Sequence, residues 1–392
     1  MFGIKNKKAK TVNSKSMTLE KVTRHLNKLR LPLSLVFTPV NLASEKKKFL
    51  EASTCNPQFK YEIVKNSNNE IIESIKDVGE ISDVDPRISD FYVELIRDKI
   101  QTHELMTAVG DNKRFTEIAI DKFGMPSYKL FRNACIAIRT HGRSYNLANS
   151  EKVKNEEYLG FKEIKDVFEK SFQAFGLDDW KLAKSKKIRS NGVKMGLKKK
   201  SVFVDPNIRK RPSDLKKTIV HEIGTHVFRH LNGLETGYHA LSKPNVNTYL
   251  NIEEGLAMYN EEMMGYLRFS HLRERALLVW LIQIGQTMSF RDLYNALSVA
   301  LPPKTSFNLV LRVKRGLGDT SKPGIYPRDY AYFRGFRRVR RMMERKPYMY
   351  ELLYAGKIDF KQTKWVEEGL IKKPKYVPSK EAFRKVFKQI GG

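Results

Sequence analysis

The six residues His221-Glu222-Ile223-Gly224-Thr225-His226 constrain this chain more than any other stretch of it. Two imidazoles on one helix can share a metal ion when their side chains meet. Spacing i, i+4 sets them about 40° apart around the helix axis, whereas spacing i, i+5 sets them about 140° apart. The longer spacing works only if a π-bulge or widened turn absorbs the extra residue, a distortion that favours functional sites. Gly224 lies inside the interval, where the missing side chain makes that distortion less costly. A third ligand must come from elsewhere. Asn251-Ile252-Glu253-Glu254-Gly255-Leu256-Ala257 opens the next helix, after a loop long enough to fold it back. A carboxylate there completes two histidines and one glutamate, leaving one position for water. Zinc acidifies such a water, and Glu222 beside His221 is placed to take its proton. The pattern predicts metal-assisted amide hydrolysis.

Plainer readings compete with each part. A single histidine is more often a cap or core residue than a ligand, and His239 reads that way. His226 and His230 have the regular i, i+4 spacing, but no glutamate follows His226 to serve as base. Glu253 and Glu254 also suit a helix N-terminus through its dipole alone. The ordered set, rather than any one member, points to a metal site.

Elsewhere the chain reads as helix-rich α+β. Leu19–Arg30 has helical spacing, residues 31–41 look extended between Pro32 and Pro39, and residues 43–53, 85–109, 111–124 and 151–175 read as helices. A short strand is expected at Ser201–Val204, forming one small sheet before the helix of residues 213–231. Ser213 is that helix's N-cap candidate and Asn232-Gly233 its stop. Helices at Asn251–Leu267, 271–286, 291–301 and 329–345 follow. The expected division is a basic flexible tail (1–16), a mostly helical N-terminal region packed on the core (17–175), and a catalytic core with C-terminal helices (176–392).

Charge narrows the partners. The 392 residues carry 73 Lys and Arg against 43 Asp and Glu, a net +30 that calls for an acidic partner. Residues 181–217 hold fourteen of these bases, a local +12, and lead straight into the helix bearing His221. Residues 326–346 add a local +6. Two cysteines, Cys55 and Cys135, cannot build a disulfide framework, so a cytoplasmic setting is expected. No apolar run is long enough to span a membrane.

HEIGTH at 221–226, Asn232-Gly233, Gly237-Tyr238 and EEGLA at 253–257 together resemble the HEIGTH/QEGLA-motif metallopeptidases. That family includes the animal microtubule-associated tyrosine carboxypeptidase and bacterial QEGLA-motif proteins. Supporting blocks in the same order are NPQFKY (56–61), FGMPSYKLFRNA (123–134), RVKRG (312–316), YPRDYAYFRG (326–335) and ELLYAGKI (351–358). The resemblance implies a gluzincin-like zincin fold in which His221, His226 and Glu254 hold Zn2+ and Glu222 is the acid/base. Glu253 falls where the family motif has glutamine. Glu261, seven residues after Glu254 on the same helix face, is a candidate for orienting an imidazole.

The animal enzyme that this chain resembles removes the C-terminal tyrosine of α-tubulin, whose tail is acidic. The implied activity is therefore a metallocarboxypeptidase acting on an acidic polypeptide end, tubulin-like in a eukaryotic setting. Such an enzyme needs a cation for the terminal carboxylate, for which Arg315 and Arg334 are nominated. Tyr326 and Tyr332 are nominated as oxyanion donors. Two alternatives remain: an endo- or aminopeptidase, and a nucleic-acid- or microtubule-binding protein with a structural metal. The basic stretches with interleaved aromatics suit the latter, but no nucleic-acid-binding fold signature accompanies them.

Overall fold

Two small sheets and a set of packed helices make up the chain, which a computed structural model describes over residues 15–62, 68–144, 156–186, 188, 192–243 and 246–389. The helix-rich α+β class expected from the sequence is what the fold has. Strand β1 (Lys15–Met17) pairs in parallel with β2 (Val78–Ile81). The second sheet combines β3 (Lys181–Lys184), β4 (Val193–Gly196) and β5 (Ser201–Val204) in the order β3-β5-β4. β5 runs parallel to β3 and antiparallel to β4, with Val202 opposite both Leu182 and Met195. This is the small sheet expected before the histidine-bearing helix; the pairing of β1 with β2 was not expected.

The sequence erred in places. Residues 33–36 form a short helix instead of extended chain, because the Pro32 carbonyl accepts hydrogen bonds from Leu35 and Val36. The helix carrying the histidines does not stop at Asn232-Gly233 but runs to Glu235. There Asn232 bonds the backbone of Lys375 and Tyr376 instead of terminating the helix. Gly233 is needed because a Cβ would stand 2.1 Å from the Leu241 carbonyl. Ser213 is not the N-cap: Arg211 precedes the helix, and the Ser213 hydroxyl donates to Glu156. Residues 1–14 of the proposed tail lie outside the described residues, as do 151–155 of the helix expected over 151–175. That helix is described over Phe161–Ala174.

One hydrophobic core surrounds the histidine helix. It draws Ile164, Phe168 and Phe172 from the preceding helix, Leu182 and Val202 from the sheet, and Ile219, Ile223 and Val227 from the histidine helix itself. A second centres on the helix Phe269–Ile284. A third joins Met17, Val22 and Phe91 to Leu241, Ile358 and Trp365, so the first hundred residues pack on the last. Helices Asn247–Met263 and Tyr330–Arg345 cross in backbone contact. A Cβ on Gly255 would lie 2.3 Å from the Gly335 carbonyl carbon, and one on Gly335 1.9 Å from the Asn251 oxygen. No helix among the described residues is long and apolar enough to cross a membrane.

Candidate active site

The histidine helix is regular from Pro212 to His221, becomes a π-helix over Glu222–Val227, and is regular again from Phe228 to Glu235. The extra residue between His221 and His226 is thus absorbed where the spacing required, and the two ring centroids lie 5.0 Å apart. Tertiary hydrogen bonds brace the widened turn. The Tyr354 hydroxyl donates to the Gly224 carbonyl at 2.7 Å, and Asn260 Nδ2 donates to Thr225 Oγ1 at 2.8 Å. Gly224 is required by packing as well as by backbone: a Cβ there would stand 2.3 Å from the Phe383 ring.

His221, His226 and Glu254 each offer a ligand atom within 4.8 Å of the others, a set that could hold a metal ion. His221 Nε2 is 3.7 Å from Glu254 Oε2. Each imidazole is gripped from behind. His221 Nδ1 donates to Glu261 at 2.7 Å, and His226 Nδ1 donates to Glu253 at 2.8 Å. Because a carboxylate only accepts, each Nδ1 carries a proton and each Nε2 is turned toward the shared space. Glu222 is half-buried and forms no ion pair among the described residues.

Electrostatics sharpen the picture. Burial lowers the His221 pKa, but the hydrogen bond and charge of Glu261, with Glu222 and Glu254, outweigh it and hold the imidazole up at about 9. The pocket therefore has an excess of negative charge, which a dication in place of that proton would relieve. Glu253 and Glu261 are both buried, which by itself raises a carboxyl pKa. Lys357, Arg229 and His226 hold Glu253 well below the usual carboxylate range, and His221, His271 and Lys217 do the same for Glu261.

The other two histidines of the stretch 221–239 serve elsewhere. His230 is buried and its Nδ1 donates to the Ser242 carbonyl at 2.6 Å. His239 Nε2 lies 3.1 Å from Asn27. Neither joins the cluster.

The nominated substrate residues separate. Tyr332 is at the site: the Glu254 charge is the largest influence raising its hydroxyl to about 12. Tyr326 is a core residue instead, only 1% exposed, with its ring against Phe37, Phe115 and Phe123. Arg315 is committed to Asp329 at 3.3 Å and stacks over Tyr326. Arg334 donates to the Tyr330 hydroxyl at 2.9 Å and faces away, two residues and hence about 200° around the helix from Tyr332. It lines a cavity of about 490 Å3 with Lys129, Arg337, Arg338, Arg341 and Arg345. The +6 of that segment is therefore largely on the helix face opposite Tyr332.

Sequence reasoning missed the support behind His226. Arg229 is fully buried; it donates to the carbonyls of Leu353, Gly356 and Ile358 and ion-pairs with Glu253. Lys357 completes the cluster on the same carboxylate. The adjacent acid in EEGLA and the block at 351–358 were the available signals, but nothing local ties them together.

Residues 47–388 match the family model of the microtubule-associated tyrosine carboxypeptidases. Mouse MATCAP2 is 31% identical over 174 residues, which are 42% of this chain and 32% of that protein. Microtubule-associated tyrosine carboxypeptidase 1 is 30% identical over 151 residues in both mouse and human, covering 37% of this chain and 32% and 31% of those proteins. The chain thus matches about a third of the length of these curated relatives. With most of its length matched by one family model, the chain belongs to the microtubule-associated tyrosine carboxypeptidase family.

Proposed function

We propose that the protein is a zinc-dependent carboxypeptidase that removes the last residue of an acidic polypeptide. One observation carries the reading: two imidazoles, each held at Nδ1 by a buried glutamate, turn their Nε2 atoms toward Glu254. Two nitrogens and one carboxylate oxygen suit zinc, and the surplus negative charge favours a dication. His221, His226 and Glu254 would hold the ion, which when bound supplies Lewis acidity.

The chain's own groups do the rest. Glu222, which forms no ion pair among the described residues, takes the proton of the attacking water and returns it to the departing amine. The Tyr332 hydroxyl, kept protonated by the neighbouring Glu254 charge, donates to the oxyanion as it forms. Glu261 and Glu253 fix the imidazoles and limit their reorientation during the reaction. The names of the relatives support tyrosine as the residue removed and a microtubule-borne tail as substrate.

Acidic peptides ending in tyrosine, with free and with amidated C-termini, test this by mass spectrometry. The expected outcome is cleavage of the free acid alone, lost in Glu222→Gln while zinc content stays at one ion per chain. Equal cleavage of both peptides counts against an exopeptidase, and full activity in Glu222→Gln counts against the assigned base.

A further inference from the structure

Arg275 projects from the helix Phe269–Ile284 one turn after His271. Its guanidinium carbon lies 4.4 Å from the centroid of the Tyr332 ring, and Nη2 donates to His271 Nε2 at 2.9 Å. Its Nε and Nη1 are buried and have no hydrogen-bond partner among the described residues. Neighbouring arginines differ: Arg312 and Arg315 both pair with Asp329, at 2.6 and 3.3 Å. Among the described residues no carboxylate is ion-paired with Arg275.

A desolvated guanidinium without an anion is costly, and leaving two of its nitrogens unsatisfied adds to the cost. Such a group is understandable where a ligand brings the missing charge. Its location identifies the ligand. Arg275 covers the ring of Tyr332 and donates to His271, whose Nδ1 lies 3.8 Å from Glu261, the carboxylate that His221 Nδ1 bonds at 2.7 Å. The unpaired cation therefore stands beside the proposed metal ligands. The planar anion that a guanidinium binds best is a carboxylate.

We propose that Arg275 receives the C-terminal carboxylate of the substrate, the role for which the sequence had suggested Arg315 or Arg334. This rests on the carboxypeptidase reading above. It assigns the restriction to free chain ends to one half-buried cation, with the scissile carbonyl, which belongs to the residue before the terminal one, delivered toward Tyr332 and Glu254.

The test compares wild type, Arg275→Gln and Arg275→Lys on the free-acid and amidated peptides, together with urea denaturation and zinc content. Arg275→Gln is expected to lower kcat/KM on the free acid by about 100-fold, chiefly through KM, with zinc content unchanged. Its denaturation midpoint should equal or exceed that of wild type, because an unpaired buried charge has gone. Arg275→Lys should recover part of the loss. Wild-type kinetics in Arg275→Gln would overturn the assignment while leaving the carboxypeptidase reading intact. A fall in midpoint alongside the loss of activity would also overturn it, since that marks a structural role. A wild type that cleaves both peptides alike, or neither, would overturn the carboxypeptidase reading and the assignment with it.

Discussion

Glu253 carries one negative charge between two buried cations, Arg229 and Lys357, while its other task is to hold His226. Its carboxylate and the Lys357 ammonium form a buried ion pair. Glu253→Gln leaves two cations buried against a neutral amide, and breaking a buried pair in this way costs about 3–5 kcal/mol. Adding Lys357→Met should restore most of that loss. A double-mutant cycle by urea denaturation checks it, and additive losses would mean that the two side chains are not coupled. His221, Glu222, His226, Glu254 and Glu261 were legible because they sit in short strings with helical spacing. Arg229 and Lys357 were not, since each meets Glu253 across 24 residues or more, and Arg275 was not, since it pairs with no carboxylate among the described residues. The nominations of Arg315, Arg334 and Tyr326 erred for a related reason: composition shows that arginines and tyrosines are present, but not which way a helix turns them.

At the level of elements, two glycines set how closely helices approach. Gly224 faces the Phe383 ring, which can move, while Gly335 faces the backbone oxygen of Asn251, which cannot without separating the helices. Gly224→Ala should therefore cost about 1–3 kcal/mol as ordinary overpacking. Gly335→Ala should cost more and should also weaken activity, because the crossing it disturbs carries Tyr332 and Glu254. Denaturation midpoints and kcat/KM measured on both variants check the order; the reverse order would mean that the crossing is softer than its contacts imply. The π turn was readable from the number of residues between the histidines, a purely geometric signal. The parallel pairing of β1 with β2 was not, because the two three- and four-residue strands are separated by 60 residues and their pairing leaves no periodic trace.

Across the whole molecule, charge is unevenly placed. The helix Tyr330–Arg345 shows Tyr332 to the glutamate side and a row of arginines to the other, so the basic cavity and the proposed metal ligands are back to back across one helix. Steering by a net +30 acts at a distance and is screened by salt. For an acidic peptide, kcat/KM should fall about tenfold or more between about 50 and about 300 mM salt, while a neutral peptide of equal length should change little. The same salt dependence for both would show that the surface charge serves something other than substrate capture.

The widened turn has one more consequence, for what the chain can tolerate. Each helical residue advances the chain by about 100° and 1.5 Å. Deleting one residue between His221 and His226 would produce the commoner i, i+4 spacing of paired histidines. Yet it would also rotate everything downstream by about a quarter-turn. Arg229 would leave the carbonyls of Leu353, Gly356 and Ile358, Asn232 would leave residues 375 and 376, and Gly233 would no longer face Leu241. The insertion thus sets the phase of the second half of the histidine helix against the C-terminal segments. Shortening the motif would put the two histidines in a more ordinary register and put the rest of the fold out of step.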